Sequence, residues 1–463
     1  MSISPARRIA FDTLLRVSAG AGFAADILHT ALGPGIRKED AALATDLTYG
    51  CLRWQRLLDA FLGTVLRKPI GSLDPEVRVA LHLGLYQLRF LDRIPPSAAV
   101  NESVELTKRA GKTSAASVVN AVLRRAMEHA KRTAEAVVPS GASAAARLGV
   151  IHSHPDWLVE RWLRAFGESR TVSLLEWNNL PARTDCALQC APSETGAETE
   201  RVLSALRAAG CDARAGAWLR GSLTVLRGAV ANLDEHLRGV FRVQDQASRM
   251  VALLLAPGPR DAVLDLCAGA GGKTLELLVQ TGPTNRFLAA DLHWHALRAL
   301  RMRMRPAAFR GREVWPIALD ATSPLPLLAK FDRIMIDAPC SGTGTLSRNP
   351  EIRWRLGEAD LPALCGRQLA MLCNAAHRLT PGGRMVYATC SLEAEENEGV
   401  VEEFLRLQPA FRTVDPAHAL APHLADSAQL DRLFQVHGEF RTWPPETRTD
   451  GFYAVVLESA AAT

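Results

Sequence analysis

Hydrophobic residues recur at helical spacing through about the first 130 residues of this 463-residue chain, and none of these residues alternate in polarity as a strand would. Asp74 and Pro75 form a favourable helix start, because aspartate accepts hydrogen bonds from free N–H groups and proline suits the first turn. The apolar residues that follow on one face are Val77, Leu81, Leu85 and Leu88. The pattern therefore predicts an all-helical bundle at the amino terminus.

The pattern changes after this bundle. Residues 134–149 are rich in alanine and contain proline and glycine, which indicates a linker or a weakly ordered connector. A helix is predicted to open at residues 153–155. Its apolar side is formed by Leu158, Trp162 and Ala165. Short apolar segments in residues 182–243 surround a predicted helix at about 197–209. This pattern indicates a small α+β module, of the kind that binds RNA beside a catalytic domain.

From about residue 244, apolar runs alternate with segments of helix length, and the runs are AVLDLCA, RFLAADL, FDRIMIDA and RMVYATC. This alternation predicts an α/β fold with a doubly wound parallel sheet and helices on both faces. Residues 451–458 supply a late strand. Ligands of such sheets bind where the strands end, so the motifs at those positions are the candidate site.

Composition narrows the class of protein. The start, MSISPARRIAFDTLL, lacks the apolar run of a signal peptide, so we expect a cytoplasmic protein with no membrane partner. The nine cysteines include no CxxC pair, and we expect no metal site. The net charge is +5, but residues 1–135 hold 19 lysine and arginine residues against 13 acidic ones. The amino-terminal third carries the net positive charge, which suits contact with phosphates.

A glycine-rich turn, VLDLCAGAGGKT at residues 263–274, follows one of the predicted strands. A phosphate-binding P-loop would need glycine at Cys267, and the dinucleotide fingerprint would need its third glycine at Thr274. A purely structural tight turn is one remaining explanation. The other is a turn whose N–H groups receive the carboxylate of S-adenosylmethionine. The residues of this candidate cofactor site are Cys267, Ala268, Gly269, Ala270, Gly271, Gly272 and Lys273.

Two aspartates end the next predicted strands. Asp291 lies 19 residues after Gly272, near the spacing of an acid that binds ribose hydroxyls. Asp320 closes the following strand, where its carboxylate would face an adenine. Either one alone is better explained as a surface loop residue, but their order after the turn favours a cofactor site.

Cys340 and Cys390 each end an apolar run. A cysteine in such a place is more often a small buried hydrophobe than a nucleophile. However, adding a thiolate to carbon 6 of cytosine makes carbon 5 nucleophilic enough to take a methyl group. Asp337 stands three residues before Cys340, in position to hold a proton at ring nitrogen 3. A second cysteine or a water molecule would then take the proton from carbon 5.

The segments DAPCSGTGTL and YATCSLEAEENE closely resemble two motifs of the RsmB/NOP2 family of RNA 5-methylcytosine transferases, over about residues 240–458. The resemblance implies a class I, Rossmann-like methyltransferase domain whose late strand runs antiparallel. It also implies that Cys390 is the nucleophile and that Cys340 assists product release. S-adenosylmethionine would lie against residues 267–273, Asp291, Asp320 and Asp337.

Three segments of the first 130 residues resemble the helical RNA-binding fold of NusB. They are TDLTYGCLRW, LGLYQLRFLDRIPPSAAVNESVELTKRAG and VVNAVLRRA. We therefore predict a multidomain chain with a NusB-like domain at 1–135, a linker and connecting helix at 136–181, the α+β module at 182–243 and the methyltransferase domain at 244–463. The expected substrate is one cytosine of small-subunit (16S) ribosomal RNA, bound by a monomer.

Two departures from the family pattern are visible. The usual CAAPGGKT reads CAGAGGKT here, so Ala270 replaces the proline and Gly269 adds flexibility. Upstream, residues 187–190 read ALQC in place of a strand with Arg-Val-Asn, which removes an expected RNA contact. The segment SRNPEIRW, residues 347–354, resembles the substrate loop of the family.

Two alternatives stay open at this point. One is a noncatalytic RNA-binding adaptor with a degenerate methyltransferase domain, although retention of both cysteines and of Asp291, Asp320 and Asp337 argues against it. The other is the same chemistry on transfer RNA, which the catalytic residues do not distinguish.

Overall fold

The computed structural model describes residues 3–461 except 34, 191, 229, 231–238, 282–284 and 436–437. They form two compact units. The first comprises Met1–Pro181 and Leu346–Glu358, and the second comprises Ala182–Thr345 and Ala359–Thr463. Across the described ranges, every helix is too short or too polar to cross a bilayer.

The first unit is helical, as predicted. Its helices are α1 (Pro5–Ser18), α2 (Ala24–Ala31), α3 (Lys38–Gly63), α4 (Pro75–Phe90), α5 (Pro96–Arg109), α6 (Ala116–His129), α7 (Ala144–Ile151) and α8 (Asp156–Asn178). Helix α4 begins after Asp74 with Pro75 in its first turn. Its four predicted apolar residues are all buried in the core of the unit.

Close packing of α3 on α4 depends on Gly50. A Cβ atom at this position would lie 2.0 Å from Cζ of Tyr86. The Tyr86 hydroxyl donates a hydrogen bond to Asp46 across a distance of 2.9 Å. A side chain at position 50 would therefore force the two helices apart.

The alanine-rich segment is more regular than predicted. It contains a 3-10 turn, Ala134–Val137, and the start of α7, whose first turn is capped by the Ser143 hydroxyl. Alanine has the highest helix propensity, so its abundance favours a helix over a weakly ordered connector once a cap is present. Helix α8 buries Leu158 and Trp162 as expected, but Ala165 is exposed.

The segment Leu346–Glu358 belongs to the first unit, and one residue that joins it there is Arg353, which is only 1% exposed. Its guanidinium donates to the carbonyl oxygens of Ser153 and Asn178 at 3.1 Å each, and to Oδ1 of Asn179 at 3.0 Å. Burial lowers the pKa of Arg353 to about 9. The Arg353 side chain is therefore buried and bonded within the first unit, and the role of residues 347–354 as a substrate loop stays a prediction.

The small module of the second unit is a four-stranded antiparallel sheet in the order β2-β3-β1-β4. Its strands are β1 (Thr184–Leu188), β2 (Asp212–Ala215), β3 (Ser222–Arg227) and β4 (Phe241–Val243). Helix α9, Thr195–Ala208, packs against the sheet through Val202, Leu203 and Leu206. The predicted α+β module is thus present.

The large sheet of the second unit has the order β10-β12-β9-β8-β5-β6-β7, with β11 paired to β12. Its strands are β5 (Ala262–Asp265), β6 (Arg286–Asp291), β7 (Val314–Ala318), β8 (Phe331–Asp337), β9 (Leu379–Thr389), β10 (Phe411–Val414), β11 (Phe440–Arg441) and β12 (Tyr453–Ser459). Strands β5 to β9 are parallel, and β12 is antiparallel to β9, as expected.

Helices cover both faces of this sheet, which makes it doubly wound. They are α10 (Gln246–Leu253), α11 (Gly272–Gln280), α12 (Trp294–Arg303), α13 (Leu361–Ala376) and α14 (Val400–Leu407). Strand order reverses between β5 and β8, which are direct neighbours. A ligand of such a sheet binds at the carboxyl ends of the strands beside this reversal.

A buried ion pair network joins the two helices that precede and follow β5. Glu276 on α11 is fully buried and accepts from Nε and Nη2 of Arg249 at 2.9 Å each, and it also pairs with Arg242. Burial alone would raise the pKa of Glu276, but the two guanidinium groups hold it at about 2. Removing one partner of such a network leaves uncompensated buried charge.

We therefore expect Glu276→Gln to lower the free energy of unfolding by about 3–5 kcal/mol. Urea unfolding followed by circular dichroism measures this loss. The matched control is Glu403→Gln, since Glu403 pairs with Arg406 on an exposed helix face and its loss should be nearly neutral. Equal losses in the two variants would contradict the importance of the buried network.

Candidate active site

The glycine turn connects β5 to α11 at the strand reversal. Gly269 and Gly271 have φ values of +54° and +85°, a backbone conformation that favours glycine, and α11 begins at Gly272. A Cβ atom at Gly271 would lie 2.2 Å from Cδ1 of Leu300, whereas a Cβ atom at Gly269 would meet nothing within 4 Å. The turn thus packs tightly on one side and is open at Gly269.

Asp291 holds this turn in place. Its Oδ2 accepts a hydrogen bond from the N–H of Gly269 at 2.8 Å, and Oδ1 accepts from the N–H of His293 at 2.8 Å. Asp320 follows β7, next to β6 in the sheet, and is exposed. Its carboxylate accepts from the N–H and hydroxyl of Thr322, and these hydrogen bonds lower its pKa. The structure therefore joins Asp291 directly to the turn, whereas the hydrogen bonds of the described residues leave Asp320 separate.

Asp265 is a site residue that the sequence analysis missed. It ends β5, it is 1% exposed, and its Oδ2 accepts from the Thr274 hydroxyl at 2.6 Å. Burial raises the pKa of Asp265 to about 7. Its Oδ1 is buried and has no hydrogen-bond partner among the described residues. An acid that directly precedes a glycine turn was the available signal.

Lys273 and Asp337 form an ion pair across the strand reversal. Lys273 Nζ lies 2.6 Å from Asp337 Oδ2, and the lysine side chain is 7% exposed against 33% for the aspartate. The same Nζ lies 4.9 Å from the ring centroid of Phe452, a cation–π contact. The pair connects the first turn of α11 with the end of β8, and it leaves part of the carboxylate accessible.

Cys267 and Ala268 start the turn, and their side chains point into the protein. The Cys267 thiol lies 3.9 Å from Sδ of Met371 on α13, and burial raises its pKa well above the usual range. Ala268 donates its N–H to the carbonyl of Ala290 at 2.9 Å. Ala270 has no unusual backbone conformation, so the residue that replaces the proline of the family pattern fits the turn without strain.

The two predicted cysteines meet beyond the ends of β8 and β9. Their Sγ atoms are 3.3 Å apart, and both residues are partly accessible. The hydrogen bond with Cys390 and burial raise the pKa of Cys340 well above its usual range, so this thiol keeps its proton at neutral pH. Gly344 packs on the backbone next to Cys390, since a Cβ atom there would lie 2.3 Å from the carbonyl oxygen of Gly451 and 2.9 Å from that of Cys390.

Behind the cysteines lies Glu396, a fully buried residue that the sequence analysis did not single out. Its Oε1 accepts from the N–H of Ser341 at 2.9 Å and from Nε2 of Gln368 at 2.8 Å. Its Oε2 accepts from the Ser391 hydroxyl at 2.6 Å. Since each serine directly follows one of the cysteines, a single carboxylate holds both cysteine loops. Glu396 lies in the run EAEENE, which by composition resembles an ordinary solvated helix start.

Glu396 lies in a π-helical turn, Glu395–Gly399, which directly precedes α14. Such turns are rare and occur frequently at functional sites. Clusters of three or more side chains suited to hold a metal ion are absent from the described part of the chain.

The parallel sheet with its antiparallel β12, the glycine turn at the strand reversal and the acids that follow it define a class I methyltransferase fold. A family model for the 16S rRNA methyltransferase RsmB/F matches residues 252–458, and one for the NusB family matches residues 4–128. The chain belongs to the RsmB/F family of 16S rRNA methyltransferases and carries a NusB-family domain. Both resemblances expected from the sequence are confirmed.

Individual relatives agree with this assignment. A probable ribosomal RNA small subunit methyltransferase B of Synechocystis is 32% identical and covers 91% of this chain and 92% of its own length. A ribosomal RNA small subunit methyltransferase B of Thermus thermophilus is 36% identical, over 90% of this chain and 92% of its own. The crystal structure of PH0851 matches the fold with a TM-score of 0.81 at 22% identity, over 99% of this chain and all of that one.

The closeness of the two thiols can be tested directly. We expect diamide to take two electrons and two protons from Cys340 and Cys390 and so join them in an intramolecular disulfide, because their sulfur atoms are already in contact. Peptide mapping by mass spectrometry would show the cross-linked peptide, and dithiothreitol would reverse it. Cys373→Ala is the control that should leave the cross-link intact. Failure of wild-type protein to form it would contradict this geometry.

Proposed function

We propose that this chain methylates carbon 5 of a cytosine in 16S ribosomal RNA, with S-adenosylmethionine as the methyl donor and Cys390 as the nucleophile. The observation that carries the proposal is the 3.3 Å contact between Cys340 and Cys390 beside Asp337. Methyl transfer to most RNA atoms needs no thiol, whereas carbon 5 of cytosine is a poor nucleophile until a thiolate adds to carbon 6. A thiol nucleophile is therefore a specific requirement of this reaction, and a second thiol in contact with it is placed to assist its release.

The residues of the glycine turn fit the proposed donor. Oδ1 of Asp265 is buried without a partner, and an ammonium group would supply the missing donor. The N–H groups at the start of α11 suit a carboxylate. Space above Gly269 and the acids at the ends of β6 and β7 suit a nucleoside. When bound, S-adenosylmethionine supplies an electrophilic methyl group on its sulfonium.

Each step has a candidate group. The Cys390 thiolate forms a bond to carbon 6 of the cytosine while Asp337, held by Lys273, keeps a proton at ring nitrogen 3. Carbon 5 then takes the methyl group, while the bond from this group to the sulfonium sulfur breaks and leaves a neutral thioether. Carbon 5 loses its proton to a water molecule, and the bond between carbon 6 and the sulfur breaks to release Cys390. Because its pKa is raised, a protonated Cys340 is suited to donate a hydrogen bond to the departing sulfur.

Glu396 is a positioning residue in this scheme. It holds the N–H after Cys340 and the hydroxyl of Ser391 after Cys390, so the distance between the thiols depends on it. In a paired RNA helix, carbons 5 and 6 of a cytosine are stacked between neighbouring bases and the enzyme cannot reach them. The substrate is therefore an unpaired or flipped-out cytosine. Two relatives named for the small ribosomal subunit, and the NusB-family domain, support ribosomal RNA over transfer RNA.

The test is transfer of tritiated methyl groups from S-adenosylmethionine to 16S ribosomal RNA and, separately, to transfer RNA. We expect label in 5-methylcytosine of the ribosomal RNA, and Cys390→Ala should lower the rate by at least about a thousandfold because it removes the nucleophile. Cys340→Ala should accumulate a protein–RNA adduct that survives denaturing electrophoresis. Cys373→Ala removes a thiol on α13, outside the two cysteine loops, and should retain wild-type activity.

Three results would overturn the proposal in whole or in part. Full transfer by Cys390→Ala would exclude the covalent route. Tight RNA binding by the wild type without methyl transfer to either RNA would favour the noncatalytic adaptor. Label in transfer RNA alone would support the cytosine chemistry but would show that the substrate is transfer RNA and not 16S ribosomal RNA.

A further inference from the structure

A cavity in the first unit has no part in the reaction described above. Its volume is about 210 Å³, and it lies among α1, α3, α4 and the segment Glu351–Arg355. Ligand pockets for drug-sized molecules measure about 300–1,000 Å³, so this one is large enough for a single ring system only. Ser18 and Arg355 at its edge are exposed, which leaves the cavity open to solvent.

Glu351 is the main polar group of the cavity. Its side chain is 1% exposed, and Oε1 accepts a hydrogen bond from the N–H of Ala24 at 2.7 Å. Oε2 is buried and has no partner among the described residues. A buried carboxylate oxygen without a donor is costly, so an N–H group from a ligand would stabilise it.

Two other lining side chains also have free donors. The Arg78 guanidinium and the Gln55 amide make no side-chain hydrogen bond or ion pair within the described residues. Arg355, in contrast, is committed to the carbonyls of Val17 and Gly22 at 2.8 and 2.5 Å. Arg78, which is half-buried at the cavity, is therefore the lining arginine with all of its donors available to a ligand.

An aromatic side chain also lines the cavity. Trp354 lines it, and the indole Nε1 donates to the carbonyl of Leu52 at 2.7 Å, which fixes the ring. Fixed aromatic rings are the usual stacking partners of unpaired bases and contribute about 1–3 kcal/mol per base. An acceptor, a stacking ring and a free cation together match the amino group, ring and phosphate of one nucleotide.

We infer that this cavity binds one unpaired base of the RNA, separate from the cytosine that is methylated. The base has an exocyclic amino group that donates to Glu351, its ring stacks on Trp354 and its phosphate lies at Arg78. This inference rests on the proposed function only in that RNA is the substrate. A free cationic ligand is disfavoured because Arg78 and Arg355 lie at the same cavity.

The test compares two labelled single-stranded RNA hexamers, one of adenosine and one of purine riboside, which lacks the 6-amino group. With the full-length protein, we expect the adenosine hexamer to bind about tenfold more tightly by fluorescence anisotropy. Glu351→Gln should abolish this difference, since the amide keeps an acceptor for Ala24 but presents donors to the base. Arg78→Ala should weaken both hexamers and reduce the salt slope by about one.

Arg67→Ala, which removes an exposed charge that does not line the cavity, is the control and should preserve the preference for adenosine. An unchanged preference in folded Glu351→Gln would overturn the inference. An unchanged salt slope in Arg78→Ala would overturn it too. This variant changes no fully buried side chain, so its fold should be retained. A wild type that shows the preference but transfers no methyl group would overturn the proposed function and leave this inference standing.

Discussion

Strands β8 and β9 run parallel and side by side, and this pairing fixes where the two thiols lie. Asp337 is in register with Ala388, and the ladder continues as the N–H of Ala338 donates to the carbonyl of Ala388 at 2.9 Å. The carboxyl ends of neighbouring parallel strands meet at one edge of the sheet. Cys340 and Cys390 therefore meet although they are 50 residues apart in the chain.

The same edge connects the thiols to the glycine turn. Because β5 lies beside β8, Lys273 in the first turn of α11 reaches Asp337 at 2.6 Å. A change in the conformation of the turn would thus alter the ion pair with Asp337, which precedes Cys340. The buried Glu396 adds a second link, since it binds both loops that carry the cysteines. The glycine turn is in this way connected to β8, and the two cysteine loops are connected to each other.

Much of this arrangement could be predicted from the sequence, because strand ends and glycine turns have strong local signals. The strands before Asp291, Asp337 and the cysteines all stand where the apolar runs predicted them. Contacts between distant segments could not be predicted. Glu396 is one of several acids in a polar run, and Arg353 lies in a polar segment with the composition of a surface loop. Their burial depends on partners that are remote in sequence. The division of the chain into four segments stays a prediction.

The claim that Cys390 is the nucleophile is tested most directly by trapping. A fragment of 16S ribosomal RNA that contains 5-fluorocytosine would be incubated with the protein and S-adenosylmethionine. Fluorine at carbon 5 cannot leave as a proton does, so an adduct formed at carbon 6 would persist. Mass spectrometry of the digested adduct should find the nucleotide on Cys390. Attachment to Cys340, or the absence of any adduct from protein that methylates ordinary RNA, would contradict the account.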